Sequence, residues 1–205
     1  MLTRCPVACK QCQPPDVNPR DYAGEVLVLN SSLGQIRIVP DFVRAPVTSA
    51  LVLELANHPD ACHNCNFYRN EAVPQDGSSG PPYGLLQGSL AGLLRVPEKE
   101  GGDIAMKRGH VAMIPGTREF FVNVMDHDTW GSSMTVWGSL ADRQSMDLVE
   151  AMLRLPYKEV KHPTYGTVMR MLEQTVSFTA LAAPAEGAAG ATGTAEAAGG
   201  AAGVQ

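Results

Sequence analysis

The chain has 205 residues, 44% of them hydrophobic and 18% charged, and its 16 basic against 21 acidic residues give a formal net charge of -5. This length suits one globular domain, and the negative balance without any basic stripe disfavours attraction to a nucleic-acid backbone. The longest apolar runs are far shorter than the roughly 20 residues that a membrane-spanning helix requires. We therefore predict a protein that binds no nucleic acid and inserts no segment into a membrane.

The two ends of the chain differ in composition from the middle. Three prolines fall between residues 13 and 20, which is typical of a linker. From 180 to 205, 18 of 26 residues are Ala or Gly, and such a segment has too little apolar surface to offset the entropy cost of ordering it. We predict a Cys- and Pro-rich segment with a linker at 1–21, a folded domain at 22–179 and a disordered tail at 180–205.

The first elements of the folded part are a hairpin and a helix. Residues 25–29 and 35–39 are short, β-branched runs, and the Asn and Gly of 30–34 between them are turn residues. Pro46 can occupy the first turn of a helix, where no backbone N–H is needed, and Pro59 would end that helix. A helix is therefore expected near 46–57.

The second half of the domain alternates strands with one further helix. Apolar spacing and a capping Asp or Ser predict a helix near 144–154. The order lacks the regular βαβ alternation of a parallel sheet, so we predict a mostly antiparallel barrel or sandwich with two helices. The further strands are expected at 109–114, 119–125 and 135–140, with a closing strand pair at 167–171 and 175–179.

Three of the five cysteines open the chain with the spacing Cys5-x3-Cys9-x2-Cys12. This spacing resembles the last third of the six-cysteine ShK toxin-like modules of secreted proteins, whose other cysteines are absent here. The resemblance implies the secretory pathway, where disulfides persist. If the segment is instead a flexible tail with three ordinary cysteines, a soluble cytoplasmic protein is the default.

The other two cysteines, Cys62 and Cys65, form a Cys-x-x-Cys pair. They are candidates for a disulfide in an oxidising compartment and for two free thiols in a reducing one. Together with Cys9 and Cys12 they have the ligand types of a four-thiolate zinc site, but 49 residues separate the two pairs. We therefore predict no metal site.

Five short landmarks follow one another along the folded part of the chain. They are the hairpin with its Pro-initiated helix, Cys-Asn-Phe-Tyr-Arg at 65–69, Leu-Leu-Gln-Gly at 85–88, Glu-Phe-Phe-Val at 119–122, and Thr-Val-Trp-Gly-Ser-Leu at 135–140. Their order and distances resemble those of the cyclophilins, which are peptidyl-prolyl cis-trans isomerases. The resemblance covers residues 22–179, and the Cys-x-x-Cys-x-Phe-Tyr-Arg-Asn-Glu form is similar to a divergent branch from plants and algae. It implies a mainly β fold, a closed antiparallel eight-stranded cyclophilin-like barrel with two covering helices, acting as a monomer without a cofactor.

The resemblance also implies a set of site residues, in which Arg69 is the catalytic residue and Phe121 is the floor of a proline slot. Three positions depart from the family. Met134 stands where the family has an imidazole, Glu119 replaces its pocket glutamine, and its aromatic before Met-x-Gln is missing near Gly84. The implied substrate-binding residues are Leu85, Gln87, Met113, Glu119, Phe121, Trp130 and Met134.

The chemistry of prolyl isomerisation needs few groups. Rotation about the bond meets a barrier of about 18–20 kcal/mol because amide resonance must be broken, and no proton or covalent bond is transferred. An arginine can favour the twisted amide through charge-assisted hydrogen bonds. The resemblance therefore implies an isomerase of proline-containing peptide or protein segments, with chemistry that Arg69 can supply. The alternative is a catalytically degenerate cyclophilin-like peptide-binding or accessory module of a secretory-pathway protein.

Strand alternation predicts which side chains face the groove. We expect Phe67, Arg69 and Glu71 on one face of their strand, and one ring of the pair Phe120 and Phe121 in the core with the other in the groove. If Arg69 is exposed, Arg69→Ala should cost little stability, since no buried group would lose its partner.

Overall fold

The computed structural model describes residues 18–22, 24–58 and 62–185, and within them the chain forms nine strands and two α-helices. The helices are α1, Pro46–Ala56, and α2, Arg143–Met152. In this part of the chain, neither helix is long and apolar enough to cross a membrane. The strands are β1 Glu25–Ser31, β2 Gly34–Pro40, β3 Asn66–Glu71, β4 Leu85–Ser89, β5 His110–Met113, β6 Glu119–Asn123, β7 Thr135–Leu140, β8 Tyr157–Lys161 and β9 Val168–Pro184.

The strands close into a barrel. Eight of the nine described strands follow the order β1-β2-β7-β5-β6-β4-β3-β9, and β1 also pairs with β9, which completes the ring. Every pairing between these strands is antiparallel. The ninth, β8, pairs with the first part of β9 and lies outside the ring. The predicted closed, eight-stranded antiparallel barrel with two helices is confirmed.

The barrel interior is filled by side chains that alternate along the strands. The rings of Phe67, Phe120 and Phe178 have centroids 4.9 to 6.1 Å apart at tilted or edge-on angles, the geometry that aromatic pairs favour. From one face of α2, Val149 and Met152 pack onto this core. Because strand residues alternate between faces, the neighbours of these core residues point to the outside of the barrel.

The last strand differs from the predicted strand pair at 167–171 and 175–179. It is one strand, β9, whose first part pairs with β8 and whose second part pairs with β1. It continues to Pro184, past the predicted domain boundary at 179, and Ala180 is fully buried opposite Leu29. Residues 180–184 thus form part of the barrel wall through their pairing with β1, whereas composition alone indicated a tail.

Two strands, β4 and β8, have no clear signal in the sequence. In β4, Gly88 interrupts the pattern; a Cβ there would lie 2.5 Å from the carbonyl oxygen of Asn66, so the site requires glycine. All five residues of β8 are exposed, so neither face of this strand needs to be apolar, and its sequence shows no alternation between apolar and polar positions. The predictions for Cys5, Cys9 and Cys12, and for the tail beyond Ala185, lie outside the described residues.

Helix α1 begins without a capping side chain of its own, because Ala45 stands at the N-cap position. The carboxylate of Glu100 takes that role. It accepts hydrogen bonds from the backbone N–H of Val47 at 2.9 Å, from that of Thr48 at 2.6 Å, and from the Thr48 hydroxyl at 2.5 Å. A negative group at this end also favours the helix dipole. The loop containing Glu100 is thereby joined to the helix.

Glu100→Ala is expected to lower the free energy of unfolding by about 1–2 kcal/mol, the usual cost of removing a helix cap. The measurement is chemical denaturation followed by circular dichroism. Glu98→Ala, in the same loop and exposed, is the matched control and should change stability by less than about 0.5 kcal/mol. Equal stabilities for the two variants would contradict the capping role.

Candidate active site

The outer face of the barrel carries a row of five cross-strand neighbours. Arg69 on β3 lies opposite Gln87 on β4, Gln87 opposite Phe121 on β6, Phe121 opposite Ala112 on β5, and Ala112 opposite Val136 on β7. Direct cross-strand neighbours point to the same face of a sheet. The register therefore brings Arg69 and Phe121 to one face, two strand spacings or about 10 Å apart.

Phe121 is the centre of an apolar cluster on this outer face, separate from the barrel interior. Phe121 is 2% exposed, and its ring meets the Trp130 ring edge-on with the ring centroids 5.8 Å apart. Leu85, Trp130 and Met134, three of the residues that the resemblance implies for the groove, belong to this cluster. Its buried members are Leu85, Met106, Ala112, Phe121 and Val136, and Tyr83, Ile104, Ile114, Trp130 and Met134 cover them in part.

Met113 is not part of the groove, so its predicted role as a wall is wrong. It is fully buried and belongs to the interior cluster with Phe120, its cross-strand neighbour. Ala112 takes the outward position instead. The reason is the alternation along β5, which places adjacent residues on opposite faces.

The strand that carries Arg69 contains a β-bulge. Phe67 pairs with Gly88 and Arg69 with Gln87, so Tyr68 is an extra residue on β3. A bulge shifts the alternation by one residue. As a result Phe67 points into the core while Arg69 faces outward, and the predicted common face for these two side chains is wrong.

The guanidinium of Arg69 is held by two hydrogen bonds. Nε donates to Oε1 of Glu71 at 3.0 Å, and Nη1 donates to Oε1 of Gln87 at 3.0 Å. The side chain of Arg69 is 15% exposed and that of Glu71 is 1% exposed. The guanidinium carbon also lies 5.8 Å from the centre of the Tyr83 ring. Nη2 has no hydrogen-bond partner among the described residues, so it is available to a ligand.

The same network continues to Glu119. Nε2 of Gln87 donates to the hydroxyl oxygen of Tyr68 at 2.5 Å. Burial, together with a hydrogen bond to the carboxylate of Glu119, raises the pKa of the Tyr68 phenol. Oε2 of Glu119 is buried without a hydrogen-bond partner in the described part of the chain. Glu119 therefore supports Tyr68 from a buried position.

Two ring residues that sequence reasoning missed hold the other side of the groove. Tyr83 packs against Trp130 at 5.7 Å, and the His127 ring stacks on Trp130 at 3.8 Å with a 7° interplanar angle. Burial lowers the pKa of His127, so its neutral ring can donate from Nε2 to the Tyr83 carbonyl, 2.6 Å away. Tyr83 directly precedes Gly84, the position near which the resemblance lacks the family's aromatic. A comparison shifted by one residue identifies Tyr83 as a candidate for that aromatic.

Cys62 and Cys65 are joined by a disulfide directly before β3, and both are buried. Disulfide sulfurs are not thiolates, so in this state the pair cannot supply the zinc ligands considered above. Among the described residues no three His, Cys, Asp or Glu side chains form a group able to hold a metal.

A separate concavity of about 590 Å³ lies where β9 passes from β8 to β1 and is lined by Leu33, Pro156 and Glu173 among others. None of the candidate residues lines it. We place the candidate site at Arg69 because its Nη2 donor, unpartnered in the described part of the chain, and the aromatic cluster around Phe121 share the outer face of the barrel.

No protein-family model matches the chain, and no curated protein matches it. Two similar solved structures are of a cyclophilin-type peptidyl-prolyl cis-trans isomerase from Cryptosporidium parvum, one of them in the presence of the dipeptide Ala-Pro. Both are 13% identical to this chain with a TM-score of 0.46. The matches cover 74% and 75% of this chain and 98% and 96% of the solved chains. At this identity, function has to be argued from the chain's own residues.

Proposed function

We propose that the chain binds proline-containing peptides on the outer face of the barrel and catalyses cis-trans isomerisation of the bond before proline. Arg69 is the electrostatic catalyst, and the cluster around Phe121 holds the proline ring. The observation that carries the proposal is the cross-strand row that places both residues on one face, with Nη2 of Arg69 unpartnered within the described residues. The protein acts as a monomer without a cofactor.

The ion pair with Glu71 sets what Arg69 can do. It fixes the plane of the guanidinium, so little side-chain entropy is lost when Nη2 donates to the twisted amide. It also offsets the positive charge that a substrate carbonyl would meet. A charge-assisted hydrogen bond contributes about 1.5–3 kcal/mol, which corresponds to about one to two decades in rate. We therefore propose a weak isomerase.

The alternative function is a catalytically degenerate peptide-binding module that uses the same groove. The neutralisation of Arg69 by Glu71 favours it, as does the engagement of both ends of the Gln87 amide within the protein. Under this alternative the groove still binds proline peptides, but the bond before proline isomerises no faster in the bound peptide than in the free peptide.

The proposal is tested by a prolyl-isomerisation assay on a panel of proline peptides. Arg69→Lys keeps a positive charge for Glu71 but lacks the second guanidinium nitrogen, and we expect the isomerisation rate to fall by about one to two decades. Arg170→Ala removes an arginine that lies over the Tyr157 ring and should leave the rate unchanged.

The outcomes of this assay separate the two functions. Peptide binding without any acceleration by the unmodified protein would support the binding module. Neither binding nor acceleration would overturn the proposal and leave only the barrel fold.

A further inference from the structure

The hairpin made by β8 and the first part of β9 continues the sheet beyond the barrel, next to Arg69. Met171 is the direct cross-strand neighbour of Arg69 on one side and of Lys158 on the other. Direct neighbours share a face of the sheet. The row that contains Phe121, Gln87 and Arg69 therefore continues through Met171 to Lys158.

The two faces of this hairpin have different environments. On the inner face, Leu172 packs into the barrel core, and the guanidinium carbon of Arg170 lies 4.5 Å from the centre of the Tyr157 ring. On the outer face, which Arg69 shares, alternation places three apolar side chains and one cation. These four residues, named here the hairpin platform, are Lys158, Val160, Met169 and Met171.

The hairpin platform is accessible. Every residue of β8 is exposed, Val160 to 37%, and Met169 and Met171 are partly exposed. The edge of β8 away from β9 has no strand partner within the described residues. Methionine side chains are flexible and polarisable and adapt to apolar groups of different shape. The hairpin platform is thus an apolar surface with one positive charge, continuous with the proline groove.

We infer that the hairpin platform is a second subsite for the peptide held in the proline groove, and that it takes an apolar residue followed by an acidic one. This inference rests on the proposed function. Met171 lies three strand spacings, about 14 Å, from Phe121. Lys158 lies four strand spacings, about 19 Å, from Phe121. An extended peptide advances about 3.3 Å per residue, so these positions match residues about four and six away from the proline.

Charge selects the acidic residue. Lys158 is the only charged member of the hairpin platform, and the neighbouring Glu159 and Lys161 belong to the opposite face of the strand. A carboxylate placed at Lys158 gains an ion pair that salt screens, whereas a lysine or arginine in the ligand is repelled. The substrate class is therefore an extended proline segment with a distal apolar residue and a distal Asp or Glu.

The experiment measures the affinity of full-length protein for three synthetic peptides by isothermal titration calorimetry. The first is a short proline peptide, the second adds Leu about four and Glu about six residues from the proline, and the third has Lys in place of that Glu. Each extension is made once on the N-terminal side and once on the C-terminal side. For one of the two sides we expect the second peptide to bind about tenfold more tightly than the first, and the third about threefold more weakly than the second.

Lys158→Glu should reverse the preference between the second and third peptides. Lys161→Glu makes the same charge change on the opposite face of the same strand, and should leave the preference as it is. Raising the salt concentration should reduce the gain from Glu and leave the gain from Leu.

The inference is overturned if the short proline peptide binds and neither extension adds affinity, a result that leaves the proposed function intact. If none of the peptides binds, the proposed function fails first. If the protein alone forms dimers that Lys158→Glu dissociates, the hairpin platform is a contact between two copies and the peptide subsite is wrong.

Discussion

Replacing Arg69 by alanine is expected to lower the free energy of unfolding by about 3–5 kcal/mol, the usual cost of removing one partner from a buried ion pair. The side chain of Glu71 is 1% exposed, and among the described residues its carboxylate would keep only the backbone N–H of Arg170 as a hydrogen-bond donor. The expectation from sequence, that this variant costs little stability, is reversed because Arg69 is 15% exposed rather than free in solvent. Chemical denaturation at neutral pH measures the change.

A second substitution shows whether the loss comes from the stranded carboxylate. In the double variant Arg69→Ala with Glu71→Gln, no buried charge is left, so a large part of the lost stability should return. Arg170→Ala, which removes an arginine from the opposite face of β9, should cost about 1 kcal/mol or less. An Arg69→Ala protein as stable as the Arg170→Ala protein would show that the ion pair contributes nothing.

Phe121→Ala is expected to abolish measurable binding of proline peptides and to cost about 3–5 kcal/mol of stability. The Phe121 ring belongs to the outer cluster and contacts the Trp130 ring edge-on. Without it, a cavity replaces the apolar surface on which the proline would pack. Phe120→Ala is the matched control, because the adjacent ring is equally buried but points into the barrel interior. It should cost similar stability and retain peptide affinity.

The comparison needs both variants folded, so denaturation curves precede the titrations. If either alanine variant is unfolded at the assay temperature, Phe121→Leu and Phe120→Leu replace them, since leucine retains most of the volume. Equal losses of affinity at the two positions would mean that the outer cluster has no specific role in binding.

Much of the candidate site was predictable because its residues keep the order and spacing of a known motif set. Leu85, Gln87, Trp130 and Met134 were assigned to the groove through the resemblance of short motifs to a known family, and all four lie on the outer face. Met113 was misplaced by a single residue. In a strand such as His110–Met113, which is apolar on both faces, composition does not distinguish the outward residue from the inward one.

The partners of Arg69 could not be predicted from local sequence. Its contact with Gln87 joins residues 18 positions apart. The Glu71 carboxylate that accepts from Arg69 also accepts from the backbone N–H of Arg170, which lies 99 positions from Glu71 along the chain. Such contacts depend on which strands become neighbours. The bulge at Tyr68 shifts one strand by a residue relative to its neighbour, and no single residue type signals it.

Local sequence was sufficient for the hairpin, both helices and the antiparallel class, because prolines, turn residues and alternating side chains act within a few residues along the chain. Tertiary structure decided the closure of β1 onto β9, the length of β9 to Pro184 and the burial of Arg69 beside Glu71. Each of these depends on register between distant strands. Register is set by the packing of whole faces against each other, and that energy is not contained in any one segment.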